Sequence, residues 1–243
     1  MEFKEAVSRR RSVRKYDPEK PIDTEIVRKC LELATMAPNS SNMQLWEFHH
    51  VTDQDMLNSL SACCFDQNAA KSAQQMVVMV VRKDLWKKRV RSHLEHIYGL
   101  LGEKSKEDYT KREKFALTYY KKIIPLTYSD FLGIFGWFKY LVYWIIGLFR
   151  PIYREARGSD IRVVVHKSMA LAAQTFMLAM ADAGYDTCPM EGMDSRRVRK
   201  LLCLPRGAQI NMVVSCGIRM PEGIYGNRFR IPFEEVYHLH DKP

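Results

Sequence analysis

The sequence predicts an α+β domain with a small central sheet flanked by helices. Three observations carry this. Apolar runs suited to strands are few: residues 46–51, Met76–Val81 and Ile210–Cys216. Long stretches with helical spacing separate them. No internal repeat, low-complexity tract or linker divides the 243 residues, so 1–243 reads as a single domain with a long helical excursion at about 82–160.

Taken in order, residues 2–10 read as a short amphipathic helix delivering Arg10 to a basic cluster. Asp23 is placed to cap a helix whose apolar face is Ile26, Val27, Cys30, Leu31 and Ala34, ending near Pro38. A strand over 46–51 precedes a polar helix near 53–62. Met76–Val81 is valine-rich and continuous, the pattern of a buried strand. Dense charge at helical spacing over 84–123 predicts exposed helices. Residues 161–183 read as a long helix with small and soft residues on most faces, hence deeply buried and suited to a subunit interface, with Gly184 ending it. His166 reads as a cap or surface residue at the start of that helix. Pro189–Gly192 reads as a turn, Asp194 as the cap of a helix through Val198, Leu201 and Leu202, and Ile210–Cys216 as a second buried strand. The tail from Gly217 is turn-rich and basic.

Bulk composition narrows the class. Hydrophobic residues at 47% and charged residues at 27% specify a folded globular chain. A net charge of +10 favours an anionic ligand, an anionic membrane surface or nucleic acid, without choosing among them. The six cysteines include no Cys-x-x-Cys pair and no His cluster joins them at zinc spacing, so they read as reduced, mostly buried residues and no metal is expected. His49 and His50 are adjacent in a strand and point to opposite faces, so they cannot share a metal. Met1–Glu5 has no apolar run or cleavage pattern, and a cytoplasmic location is expected. Gly-x-Gly-x-x-Gly, the P-loop and the Gly-x-Ser-x-Gly elbow are all missing, which excludes a dedicated dinucleotide fold, a P-loop NTPase and an α/β-hydrolase. The arginines are spread along the chain without a nucleic-acid-binding motif, so no nucleic-acid partner is expected.

Four separated motifs carry the chemistry. Arg10, Arg11, Ser12 and Arg14 read alone as a solvated basic patch; in an extended chain, residues 10, 12 and 14 share one side, so one ligand could meet all three, with Arg10 and Ser12 suited to phosphate oxygens. Pro38, Asn39, Ser40, Asn42 and Gln44 read as a helix-to-strand loop before a core Trp46, yet offer amides and a hydroxyl to a planar ligand. Pro189, Met190, Glu191 and Gly192 offer backbone N–H groups with close approach at the glycine. Arg228 and Arg230 flank Phe229 and again share a side. Asn68 and Lys71, three apart, share a face if helical.

In this order the motifs resemble the flavin-binding pattern of the nitroreductase family, FMN-dependent NAD(P)H oxidoreductases. The resemblance covers residues 1–81 and 161–237. It departs at Leu45, where the family often has Pro, and at Asn39, where Ser is common. It implies a nitroreductase-like fold with a mostly antiparallel sheet and an intertwined homodimer. FMN would be the cofactor and NAD(P)H the electron donor, with a nitroaromatic or quinone-like small molecule as acceptor. Nicotinamide and acceptor would take turns on the same flavin face. By the same resemblance Arg10, Ser12, Arg228 and Arg230 meet the phosphate, while Arg14, Asn68 and Lys71 meet the pyrimidine edge. The 38–44 loop comes from the partner subunit. The backbone N–H near Glu191 faces the reactive flavin nitrogen, so no side chain need act as acid or base. Reductive dehalogenation is an alternative within the family, held low because no lid residues that grip an amino-acid substrate are recognised.

The run Phe131–Phe149 does not follow from that pattern. Nineteen residues are the minimum for a bilayer span, and Lys139 near the centre costs roughly 2.5–3.5 kcal/mol there. Lys121 and Lys122 lie on one side, Arg150, Arg154 and Arg157 on the other. A packed helical excursion over the active site or dimer surface is the first expectation. An interfacial membrane helix is the second, making the chain a basic membrane-surface protein that acts through 131–149.

Overall fold

Gln75–Val81 forms strand β2, and all seven of its residues are buried. A strand can be covered on both sides only if layers pack on both faces of its sheet. In the computed structural model, which describes residues 2–129 and 134–241, that sheet has four strands in the order β1-β2-β4-β3, every neighbouring pair antiparallel. β1 is Trp46–Val51, β3 is Asp186–Met190 and β4 is Gln209–Gly217. Side chains alternate along β2: Val77, Met79 and Val81 enter one core, Met76, Val78 and Val80 the other.

The first core lies under helices α2 (Thr24–Ala34) and α9 (Gly158–Asp182), the second under α3 (Gln54–Cys63), α4 (Asn68–Lys71) and α10 (Ser195–Leu201). Helix α1 spans Phe3–Arg9. The aspartates at 23, 53 and 194 cap α2, α3 and α10, each accepting from a backbone N–H of the first turn. Helix α9 is long and apolar enough to cross a bilayer by length and composition, yet it is the central helix of the first core. Only one of its faces is covered in a single chain. Ile161, Val165, Met169, Ala172, Phe176 and Met180 are buried, whereas Val163 and Leu171 on the opposite side are about half exposed. The subunit interface expected for this helix would fall on this open side. His166 is corrected: it lies well inside α9, with Nε2 near Gln209 Oε1 (3.1 Å) and Nδ1 near Asn211 Nδ2 (3.0 Å) of β4.

The excursion is helical. It comprises α5 (Trp86–Leu101), α6 (Lys111–Thr118), a π-helical turn at Tyr119–Ile123, α7 (Ile124–Tyr128) and α8 (Ile134–Ile146). The first three residues of the 131–149 run lie outside the described residues. Among the rest, α8 is 13 residues long, about 20 Å at 1.5 Å per residue, against a hydrocarbon core of about 30 Å.

A basic cleft and a strained loop as the candidate functional site

Two distant segments meet along the open edge of β3. After α1 the chain runs extended. Ser12 bridges Thr187 in parallel and the Val13 N–H donates to the Thr187 carbonyl at 3.1 Å. Val13 and Tyr16 turn inward and are fully buried, which leaves Arg10, Ser12 and Arg14 on the outer side. The tail returns against this segment: Asp17 N–H to Ile218 O at 2.8 Å, Met220 N–H to Lys15 O at 3.2 Å, and Arg14 N–H to Gly223 O at 2.7 Å. Gly226, at φ +71°, then turns the chain so that 228–230 lies beside 8–11.

The result is a cleft of about 320 Å³ lined by Arg10, Arg11, Ser12 and Arg14 from one segment and by Ile224–Arg230 from the other, save the glycine. Among the described residues no carboxylate forms an ion pair with Arg10, Arg11, Arg14, Arg228 or Arg230. The consequence shows at Arg10, whose guanidinium is held below its ordinary value, first by burial and then by the positive charges of Arg228, Arg230 and Arg11. Two of these arginines also shape the cleft. Arg228 Nη2 donates to the carbonyls of Ser8 (2.8 Å) and Arg10 (2.7 Å), and Arg11 Nη2 donates to Gly226 O at 2.9 Å. Among the described residues Arg230 donates only to the adjacent Phe229 carbonyl, at 2.7 Å.

The other predicted residues fall into two groups. Asn68 borders the cleft through Tyr225, to whose hydroxyl its Nδ2 donates at 2.9 Å; Lys71 is exposed at the end of the same short helix. Pro189 and Met190 are the last residues of β3 rather than a turn, a correction. Strand pairing with Val214 and Val213 overrides the turn preference, and Pro189 is tolerated because β3 is an edge. Glu191 and Gly192 follow, exposed, with Gln67 Nε2 donating to Gly192 O at 2.7 Å. Among the described residues neither of their amides donates to a protein acceptor.

The loop at 38–44 is elsewhere. Ser40 and Ser41 line a second and larger cavity of about 400 Å³ beneath the excursion, not the arginine cleft. Within one chain the structure does not bring Pro38, Asn39, Ser40, Asn42 or Gln44 to the arginines. The loop is strained: Ser41, Asn42 and Gln44 have φ of 55°, 50° and 49°, a left-handed conformation that non-glycine residues adopt at a cost. Its braces come from the excursion and α9. Ser41 Oγ lies 2.7 Å from Tyr119 Oη, Tyr120 Oη donates to Ser41 O at 3.0 Å, His93 Nε2 lies 2.7 Å from Asn42 O, and Ser40 N–H donates to Ser168 Oγ at 3.2 Å.

Sequence reasoning missed Tyr225, and it missed the buried pair that locks the tail to β3. Asp186 accepts from the Arg219 backbone N–H at 2.9 Å and from its Nε at 2.8 Å, while Arg219 Nη2 reaches the Arg9 carbonyl at 3.2 Å. Nothing local in the sequence marks either. The cysteines behave as expected: Cys30, Cys63, Cys64, Cys188 and Cys216 are free and buried, and Cys203 is free and exposed. No group of potential metal ligands occurs among the described residues.

Known proteins share this fold. The sequence model of the nitroreductase family matches residues 7–218. The NADH dehydrogenase of Thermus thermophilus is 26% identical, over 97% of this chain and 95% of that protein. Among solved structures, ydfN of Bacillus subtilis superposes with a TM-score of 0.73 at 22% identity, covering 98% of each chain. A protein of Exiguobacterium sibiricum solved in complex with FMN gives 0.67 at 21% identity, covering 99% of this chain and 98% of that one.

Proposed function

The chain belongs to the nitroreductase family, and from that premise we propose that it is an FMN-dependent oxidoreductase that takes electrons from NAD(P)H and delivers them in pairs to an electron-poor nitroaromatic or quinone-like molecule. The observation that carries the cofactor assignment is the cleft where five arginines gather without an ion-paired carboxylate. Burial first, and then the neighbouring arginines, lower Arg10, and an anion relieves the repulsion among them. The residues present therefore fit the phosphate end of FMN. FMN held there would supply two-electron redox chemistry between a nicotinamide donor and the acceptor.

The chain's own residues bind and orient. Arg10, Ser12 and Arg230 are the ligands for phosphate oxygens, Arg10 and Arg230 through guanidinium forks. Arg228 does double duty, since its hold on the Ser8 and Arg10 carbonyls fixes where Arg10 sits. Arg14, Asn68 and Lys71 serve the pyrimidine edge, where positive charge favours the anionic reduced ring. The Glu191 and Gly192 amides, which have no protein acceptor among the described residues, are the donors for the reactive ring nitrogen. The 38–44 loop is separate from the cleft within one chain, so we assign it to the site of a partner copy in a homodimer.

The test is the Arg10→Ala, Arg230→Ala double variant. Each charge-assisted phosphate contact contributes about 1.5–3 kcal/mol, so together their loss weakens FMN by roughly a hundredfold or more. The purified variant should be colourless in visible absorption while melting cooperatively. Full flavin occupancy would overturn the assignment of this cleft.

A further inference from the structure

Helix α8 wears its polarity reversed. Its single charged residue faces the protein: Lys139 is buried, and its Nζ donates to the carbonyls of Leu126 (3.0 Å), Thr127 (3.3 Å) and Ser129 (2.9 Å) at the C-terminal end of α7. These contacts fix the helix rotation, and the opposite face is apolar and open. Trp137, Phe138, Leu141, Trp144, Leu148 and Phe149 are all exposed, Trp137 by 62% and Phe149 by 84%. Trp137, Phe138, Leu141 and Trp144 recur at helical spacing and form one stripe, and Leu148 and Phe149 follow in the turn after the helix. An exposed apolar patch of this kind marks an interaction surface.

We propose that this stripe docks the protein, in the plane of the interface, onto an anionic lipid bilayer. Three features choose that occupant. The described helix is about 20 Å long against a core of about 30 Å, and its one lysine is tied to the protein, which favours lying in the interface over spanning. Its outward residues are dominated by tryptophan and phenylalanine, and the tryptophans suit the headgroup boundary. Its surroundings are predominantly basic, with Glu155 exposed among them and Arg157 paired to Asp160 at 3.0 Å. Lys121 and Lys122 precede it, Arg150 and Arg154 follow, and the Arg157 guanidinium sits 5.7 Å from the Trp137 ring centroid. A second copy of the chain fits less well. A two-fold contact through this stripe would bring the basic rim against itself on a chain of net charge +10. A separate open surface, the outer side of α9 with Val163 and Leu171, is free for self-association.

The proposal is independent of the flavin assignment, and its test reads binding, not turnover. The full flavin-loaded protein is floated with vesicles of neutral phosphatidylcholine alone and with vesicles containing phosphatidylserine. Wild type should partition at least about tenfold more onto the anionic vesicles, less so as salt rises. The Trp137→Glu, Trp144→Glu variant should lose that partition while keeping its flavin and melting temperature. As a check needing no variant, acyl-chain-brominated phosphatidylserine vesicles should quench part of the wild-type tryptophan emission, since Trp137 and Trp144 are exposed on the stripe whereas Trp46 is buried and Trp86 stacks on Tyr128. No binding by wild type, equal binding by the variant, or no quenching would each overturn the proposal. So would light scattering that shows the stripe joining two protein assemblies, with the contact abolished by the same substitutions.

Discussion

Tyr16 shows how one side chain can couple the candidate site to the core. It is fully buried, and its hydroxyl meets the Ser215 carbonyl at 3.0 Å and the Ser215 hydroxyl at 2.9 Å in β4. Its backbone belongs to the segment that carries Arg10, Ser12 and Arg14. Gly217 exists for this ring, since a Cβ there would come within 2.7 Å of Tyr16 Cγ. Burial, the larger cause, pushes the phenol well above its ordinary value against the opposing pull of the Ser215 bond. A phenol whose folded value is raised holds its proton more tightly when folded. Its contribution is therefore complete below about pH 10, the unfolded value, and is lost as pH rises beyond it. Tyr16→Phe should cost about 1–2 kcal/mol at neutral pH through the lost hydrogen bonds. It should also flatten the fall in stability between about pH 9 and 11. Chemical denaturation across that range checks both. The slope should be reduced rather than erased, because burial also raises Tyr128, to about 12, and Tyr120 and Tyr153. An unchanged alkaline slope would show that Tyr16 does not report on the native core.

The element that makes the cleft is the returning tail, and its seat is tight. Gly223 passes so close to residues 13–15 that a Cβ would lie 2.4 Å from the Lys15 carbonyl, a backbone atom that cannot step aside. Gly223→Ala should therefore lift the 218–230 segment off the extended chain. The expected cost is about 1–3 kcal/mol of stability, with a larger loss of flavin than the stability change explains, because Arg228 and Arg230 move with the tail. Titration of the apo variant with FMN, alongside its melting curve, separates the two; wild-type affinity would mean that the tail does not position the cleft. This dependence on tertiary seating is also where sequence legibility ended. β2 and β4 were readable because each holds a run of apolar residues, and α2 and α10 because Asp23 and Asp194 mark their starts. β3 was not, since Asp186 and Pro189 break the strand pattern and only pairing with β4 and Ser12 makes it extended. Arg10 and Arg230 were joined by resemblance alone; more than two hundred residues separate them, and no local rule connects them. The inward turn of Lys139 and the bracing of Ser41 and Asn42 by Tyr119, Tyr120 and His93 depend on how the excursion folds back, which periodicity does not encode.

At the scale of the whole molecule, the parts of the site do not meet within one chain. The arginines, Asn68 and the end of β3 gather at one sheet edge, while the strained 38–44 loop sits by the excursion and α9, held in a costly conformation by four hydrogen bonds. Strain maintained by so many braces calls for a use that a lone chain does not provide. The homodimer proposed above would supply one: each loop would reach the cleft of the other copy, and the open outer face of α9 would be buried between them. This arrangement predicts complementation. Chains with Arg10→Ala and Arg230→Ala lack a working cleft; chains with Asn42→Ala and Gln44→Ala lack a working loop. Each should be inactive as a homodimer. Unfolded and refolded together, half the dimers are mixed, and each mixed dimer pairs one intact cleft with one intact loop, so about a quarter of wild-type NAD(P)H oxidation should return. If loop and cleft of the same chain formed the site, mixing would restore nothing, because every chain would carry one broken half. Recovery on mixing therefore has no single-chain explanation, and its failure with two well-folded variants would confine the site to one subunit.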